Sequence, residues 1–352
     1  MTTDMKRYIL PVLLILSVLT GCVDTRQQTQ KATEDYILYD LPSPREQQLC
    51  NIICDAVNDM EPSVSLPQAQ HYTYDEVYNV YQLIYVNEAA VFYLSPQFGY
   101  ENGSRGISRI KFRYIYTKDE VRKMYEEIDK SAKEILDGIG GESDCEKFKH
   151  IHDELIKRCT YGDGKNADNA YGALVEGRAL CQGYSKAFDL LCRKASLHAV
   201  ITEGDAQGSH MWNMVNTDDG YYHIDCTWDD PDDTKRPDLV RYDFFMLNDA
   251  SIKRGRTITS KAPGSAGVKY DHWAFSELTA STYDDAVRLI KAQAADGTIR
   301  LRADSRETYD EIKDRLFGGD GLGEILRECG VNAETIDYTL NDSDYIIEIY
   351  TV

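Results

Sequence analysis

Arg178-Ala179-Leu180-Cys181-Gln182-Gly183-Tyr184-Ser185-Lys186-Ala187-Phe188-Asp189-Leu190-Leu191 is the stretch on which the fold of this chain turns. Tyr184, Ala187, Phe188 and Leu191 recur at helical spacing, which predicts a helix with one buried apolar face and Cys181 at its start. The first turn of a helix carries free N–H groups and partial positive charge, and both favour thiolate over thiol. The same N–H groups suit the oxyanion of a tetrahedral intermediate. Gly177 and Gly183 let the backbone come close around the sulfur. Cys181 is therefore a candidate nucleophile.

A thiol nucleophile needs a base, and the base needs a group that holds its tautomer. Downstream, His210-Met211-Trp212-Asn213-Met214-Val215 and Tyr221-Tyr222-His223-Ile224-Asp225-Cys226-Thr227-Trp228 are β-prone runs around the turn-rich Asn216-Thr217-Asp218-Asp219-Gly220. That is a hairpin pattern. A turn at Thr217-Asp218 sets His210 opposite Asp225, one at Asp218-Asp219 makes them diagonal neighbours on one face, and one at Asp219-Gly220 parts them. Turn chemistry favours the last dipeptide, and spacing alone leaves all three registers open.

The runs Ala170-Tyr171-Gly172-Ala173-Leu174-Val175, Leu180 to Phe188, His210-Met211-Trp212-Asn213 and Asp225-Cys226-Thr227-Trp228-Asp229-Asp230-Pro231 resemble the core of the transglutaminase-like superfamily, in particular its bacterial surface-protein branch. A weaker likeness extends upstream to Val86–Leu94. The resemblance implies an α+β, papain-like core with a Cys-His-Asp triad, carried residue by residue onto Cys181, His210 and Asp225. Met211 departs from the family pattern, which usually has a small residue between the histidine and the tryptophan.

Four further residues are candidates for substrate or oxyanion contact. Gln182 adjoins the sulfur, Tyr161 precedes the loop 162–169, and Trp212 and Trp228 flank the histidine and the aspartate as cleft walls or as core. No metal site is expected: the chain has no C-x-x-C pair and no H-E-x-x-H. His150 and His152, two apart, point to different helix faces. The proposed chemistry calls for no cofactor.

Lys6 and Arg7 precede an apolar run, Tyr8–Leu19, too short to span a bilayer as a stable helix but suited to a secretory signal. Its end, Leu19-Thr20-Gly21-Cys22, resembles a bacterial lipoprotein cleavage site. Residues 1–21 are thus expected to be a signal peptide, Cys22 the lipidated N-terminus, and 22–45, with Gln27, Gln28, Thr29 and Gln30, a flexible tether. The expected location is the extracytoplasmic face of a membrane. A formal net charge of −20 argues against nucleic acid as a partner.

With 42% apolar residues the chain has ample material for buried cores. We read an N-terminal α+β portion over 46–140, with helices at Gln47–Met60 and Tyr74–Ile84 and strands at Ala89–Leu94 and Ile110–Ile115. The catalytic core is placed at 141–276. A small accessory α+β domain follows at 280–352, with helices at Thr282–Ala292, Ser305–Leu316 and Leu322–Cys329 and strands at Thr298–Arg302, Thr335–Leu340 and Tyr345–Tyr350. The expected function is a lipid-anchored thiol enzyme that cleaves or transfers amide bonds of surface proteins or wall peptides. A transamidase that crosslinks proteins and a non-catalytic surface-binding scaffold on the same core are the alternatives.

Overall fold

The computed structural model describes residues 43–140, 143–231, 235–331 and 336–351. The expected signal peptide, Cys22 and most of the tether lie outside the described residues. Four helices open the fold: α1 (Pro44–Asn58), α2 (Tyr74–Asn87), α3 (Lys118–Leu136) and α4 (Asp144–Arg158). Each begins with a capping box, Ser43/Glu46, Thr73/Glu76, Thr117/Glu120 and Ser143/Glu146, in which hydroxyl and carboxylate satisfy each other's backbone N–H groups. Between α1 and α3 lies a three-stranded antiparallel sheet of β1 (Ser63–Ser65), β2 (Gly99–Gly103) and β3 (Gly106–Lys111), in the order β1-β3-β2.

Two expectations fail in this region. Ala89–Leu94 is not a strand: Ala89–Val91 form a 3-10 turn. Glu88 is the cause, since its carboxylate accepts the Ala90 N–H at 3.1 Å and starts a helical turn there. Leu94 keeps a single bridge to Tyr114. The strand expected at Ile110–Ile115 starts earlier, at Gly106, and ends at Lys111, because the ladder follows its partner β2 rather than the apolar run.

The short parallel pair β4 (Thr160–Tyr161) and β5 (Arg178–Ala179) leads into α5, Cys181–Lys194. Tyr184, Ala187, Phe188 and Leu191 form its buried face, as the helical spacing requires. That face packs on a five-stranded antiparallel sheet in the order β10-β6-β7-β8-β9. Its strands are β6 (Ala199–Asp205), β7 (Ser209–Thr217), β8 (Gly220–Ile224), β9 (Phe245–Leu247) and β10 (Thr257–Ile258). The β7–β8 register pairs Thr217 with Gly220 and Asn213 with Ile224, so the turn is Asp218-Asp219.

One hydrophobic core runs from Leu49 in α1 through α5 and the sheet to Trp273. Charges pin the N-terminal helices to α5. Arg193 pairs with Glu88 at 3.0 Å and Asp189 at 2.7 Å, and the buried Lys186 donates to the Tyr85 carbonyl at 2.6 Å.

A second core, Ala280 to Ile349, belongs to the C-terminal residues. There β11 (Thr279–Ala280), β12 (Thr298–Ala303), β13 (Asp337–Asn341) and β14 (Ile346–Tyr350) form a sheet ordered β11-β12-β14-β13. It packs with α7 (Tyr283–Gln293), α8 (Arg306–Phe317) and α9 (Gly321–Glu328), numbering the short helix Cys226–Asp229 as α6. Glu348, fully buried, accepts from Arg300 of the same unit at 3.0 Å and from Arg241 at 2.9 Å, which ties this unit to the segment leading into β9. Among the described residues no helix is long and apolar enough to cross a membrane.

Candidate active site

Cys181 is the first residue of α5, after the extended Leu180. The chain is held there by two backbone bonds, Leu180 N–H to Ala167 O at 2.9 Å and Gly162 N–H to Ala179 O at 3.0 Å. Gly183 makes the close approach: a Cβ on it would stand 2.2 Å from Ala167 O and 2.8 Å from Ala179 Cβ. Cys181 is half-buried. The first turn of α5 leaves its N–H groups without intrahelical partners.

His210 enters from β7 and is 7% exposed. The two-residue turn makes it the diagonal neighbour of Asp225 on one face of the hairpin, and its Nε2 lies 2.7 Å from Asp225 Oδ2. Cys181 lies near enough to the imidazole to act on its charge. The three sequence candidates therefore meet. Burial disfavours the imidazolium, but Asp225 and then Cys181 outweigh it and lift the His210 pKa to about 9.

Asp225 is 1% exposed and caps α6. Its Oδ1 accepts the Thr227 and Trp228 N–H groups at 3.0 and 3.2 Å. Its Oδ2 accepts from His210 and from Arg256. Burial opposes the charge, yet Arg256 and His210 together hold the carboxyl at about 2. The sequence reading missed Arg256. It sits in the polar run Lys253-Arg254-Gly255-Arg256, where nothing separates it from Arg254, whose partner is Asp344.

The remaining candidates divide. Of the two roles open to Trp212, core and cleft wall, its 1% exposure places it in the core. Its ring stacks on His210 with centroids 5.9 Å apart, and its Nε1–H donates to His223 Nδ1 at 3.0 Å. His223 Nε2 lies 2.9 Å from Asp249 Oδ1. Burial pushes the His223 pKa down to about 4, and the neutral ring accepts from Trp212 while donating to Asp249. Trp212 thus supports the imidazole from behind.

Trp228 is half-buried, edge-on to His210 at 6.1 Å. Gln182 is half-buried, and its Nε2 is enclosed without a hydrogen-bond partner among the described residues. Tyr161 is 47% exposed, and its phenol is raised first by burial and then by the neighbouring Cys181. Among the described residues no group of three or more His, Cys, Asp or Glu side chains gathers as a metal site. A sulfur beside an imidazole that a buried carboxylate holds in place is equipped for acyl transfer.

Residues 131–226 match the family model of the transglutaminase-like superfamily. The middle of this chain is a transglutaminase-like core. Cys181, His210 and Asp225 all fall within the matched residues, whereas Arg256 lies beyond them. The superfamily is one of thiol enzymes. Two solved structures are similar to parts of the chain. A crystal structure of a TGase is 17% identical, with 42% of this chain and 47% of that chain covered and a TM-score of 0.29. A candidate cysteine protease from Cytophaga hutchinsonii is 14% identical, with 37% of this chain and 61% of that chain covered and a TM-score of 0.26. The chain spans less than two thirds of either one. No curated protein sequence matches it.

Proposed function

We propose that this chain is a thiol enzyme that cleaves amide bonds through an acyl-enzyme on Cys181. The observation that carries the reading is the 2.7 Å bond between His210 and the buried Asp225, on an imidazole whose pKa is raised by Asp225 and then by Cys181. The Cys181 sulfur attacks the carbonyl carbon, and His210 takes the thiol proton and delivers it to the departing amine. The C–N bond breaks and a thioester remains. Water, activated by the same imidazole, then opens the thioester and regenerates the thiol. Asp225 holds the ring in the tautomer that both half-reactions need. The N–H groups of the first turn of α5 and the Gln182 amide are the candidate donors to the oxyanion, and the exposed Tyr161 is a candidate substrate contact.

Hydrolysis is the primary reading, since water always reaches a partly exposed thioester; a primary amine in place of water makes the same site a transamidase. We further propose that the chain is exported and anchored through lipid on Cys22, which makes surface proteins or wall peptides its substrates. The support is the sequence Leu19-Thr20-Gly21-Cys22 behind its charged and apolar leader.

The test is turnover by wild type and Cys181→Ala incubated with a surface-protein extract and a labelled primary amine. Fragments without incorporated label mean hydrolysis, incorporated label means transamidation, and loss of both in the alanine variant ties the chemistry to the sulfur. If wild type yields neither, and iodoacetamide labels Cys181 no faster than the exposed Cys329, the core is a binding scaffold.

A further inference from the structure

Asp225 accepts from four donors, and one of them is a permanent cation. Thr227 and Trp228 N–H groups occupy Oδ1, and His210 and Arg256 share Oδ2. A carboxylate offers about four acceptor positions, so this one is saturated. The Asp225 and Arg256 side chains are 1% and 2% exposed. A buried carboxylate needs a counter-charge. His210 supplies one only while it is protonated, and in the proposed reaction it takes up and releases a proton twice per turnover. The guanidinium never loses its charge under these conditions.

The guanidinium is itself caged. Its central carbon lies 4.0 Å from the Phe244 ring centre, 4.9 Å from that of Trp228 and 5.4 Å from that of Trp212. Aromatic faces favour a cation that has been taken out of water. Trp212 and Trp228 also flank His210, so the same two rings bound the imidazole and the guanidinium. Asp344 and His223 also feel Arg256 electrostatically. Asp344 is paired with Arg254 at 3.4 Å and His223 is neutral; among the described residues the ion partner of Arg256 is Asp225.

We propose that Arg256 is the fixed counter-ion of Asp225 and the positioning residue of the site, keeping the carboxylate ionised and Oδ2 turned to His210 whether or not the imidazole carries a proton. This rests on the thiol-enzyme reading for its catalytic meaning, though not for its electrostatics. Because Arg256 and a protonated His210 draw on the same oxygen, the guanidinium also limits how tightly the pair holds its proton.

The full chain tests this with Arg256→Met, which fills the aromatic cage without charge, and Arg256→Lys, which keeps the charge. The His210 ring is followed by NMR across pH, and iodoacetamide labelling of Cys181 is timed over the same range. In the methionine variant the ring titration should move upward by about one pH unit, because the cation competing for Oδ2 is gone. The labelling profile should move with it, and lysine should restore both toward wild type. A titration in the methionine variant that overlays wild type, or one that lysine fails to restore, overturns the proposal.

If Arg256→Met does not fold, the double variant Asp225→Asn/Arg256→Met, which buries no charge, should regain the wild-type melting temperature. Failure of the double variant to fold counts against the counter-ion role. The NMR readout requires no turnover. A shifted titration in a protein that turns over nothing sinks the enzyme reading and leaves the ion pair standing.

Discussion

His210 Nε2 and Asp225 Oδ2 stand 2.7 Å apart across a diagonal of the β7–β8 hairpin, a relationship created by the two-residue turn Asp218-Asp219. Asp225→Asn should preserve the α6 cap, since an amide oxygen still accepts from Thr227 and Trp228. It removes the charge that does most to raise the His210 pKa after burial has lowered it. The imidazole should therefore release its proton well below pH 9, and turnover should fall on the order of 10⁴-fold, as when a triad aspartate is neutralised. NMR titration of His210 and a rate assay check the two halves separately. A ring still titrating near 9 in the asparagine variant would show that another group holds it.

The same shift makes a claim about stability. His210 rises from 6.5 unfolded to about 9 folded. Between those values the folded state binds the extra proton, so the stabilisation is complete below about pH 6.5 and is lost as pH rises through 9. Urea unfolding of wild type and His210→Gln at pH 6, 7.5 and 9.5 should show a stability gap that closes by on the order of 2–3 kcal/mol over this window. A gap constant across the three pH values contradicts the assignment.

How far the sequence carried the structure depended on the distance over which each signal acts. Tyr184, Ala187, Phe188 and Leu191 announce the helix behind Cys181 because helical periodicity is local, and the capping pair Thr117/Glu120 marks α3 for the same reason. The hairpin was legible, but its register was not. Asp219-Gly220 suits a tight turn, yet Gly220 takes up φ +104° just after the turn, with Thr217 Oγ1 donating to its carbonyl at 2.8 Å. The 3-10 turn at Ala89 depended on how one Glu88 carboxylate bonds. Arg256 was invisible because its significance lies in a carboxylate 31 positions upstream. Trp212 could not be assigned to core or cleft without knowing that His223, on the next strand, offers its indole an acceptor.

Glycine positions around the site separate conformational from steric demands. A Cβ on Gly220 meets nothing within 4 Å, so Gly220→Ala pays only for its left-handed backbone, about 1–2 kcal/mol, and should leave Cys181 labelling unchanged. A Cβ on Gly204 would lie 2.0 Å from Thr257 O and 2.6 Å from Trp212 Cη2. Gly204→Ala must therefore displace either β10, next to Arg256, or the ring that backs His210. We expect about 1–3 kcal/mol lost in thermal unfolding, together with slower labelling of Cys181. Gly183→Ala meets the Ala167 carbonyl at 2.2 Å and should slow labelling as well, by moving the start of α5. Equal labelling rates in all three variants would mean that these close approaches do not position the sulfur.

Lys186 puts a cation inside the helix that carries the nucleophile. It is 2% exposed, its Nζ donates to the Tyr85 carbonyl at 2.6 Å, and it lies 4.7 Å from the Tyr85 ring centre. Burial pulls its pKa from 10.5 down to about 8, against the attraction of Asp168, Glu88 and Asp189. The folded state therefore resists the proton. Between pH 8 and 10.5 the unfolded chain binds more protons, so this residue makes stability rise with pH there, and below pH 8 the cost of the buried charge is fully present. Lys186→Met keeps the length and discards the charge. It should raise stability at pH 7 by about 1–3 kcal/mol and remove the rise between pH 8 and 10.5. Denaturation curves at pH 7 and pH 10 decide the matter: a methionine variant less stable than wild type at pH 7 would show that the bond to the Tyr85 carbonyl outweighs the desolvation of the ammonium.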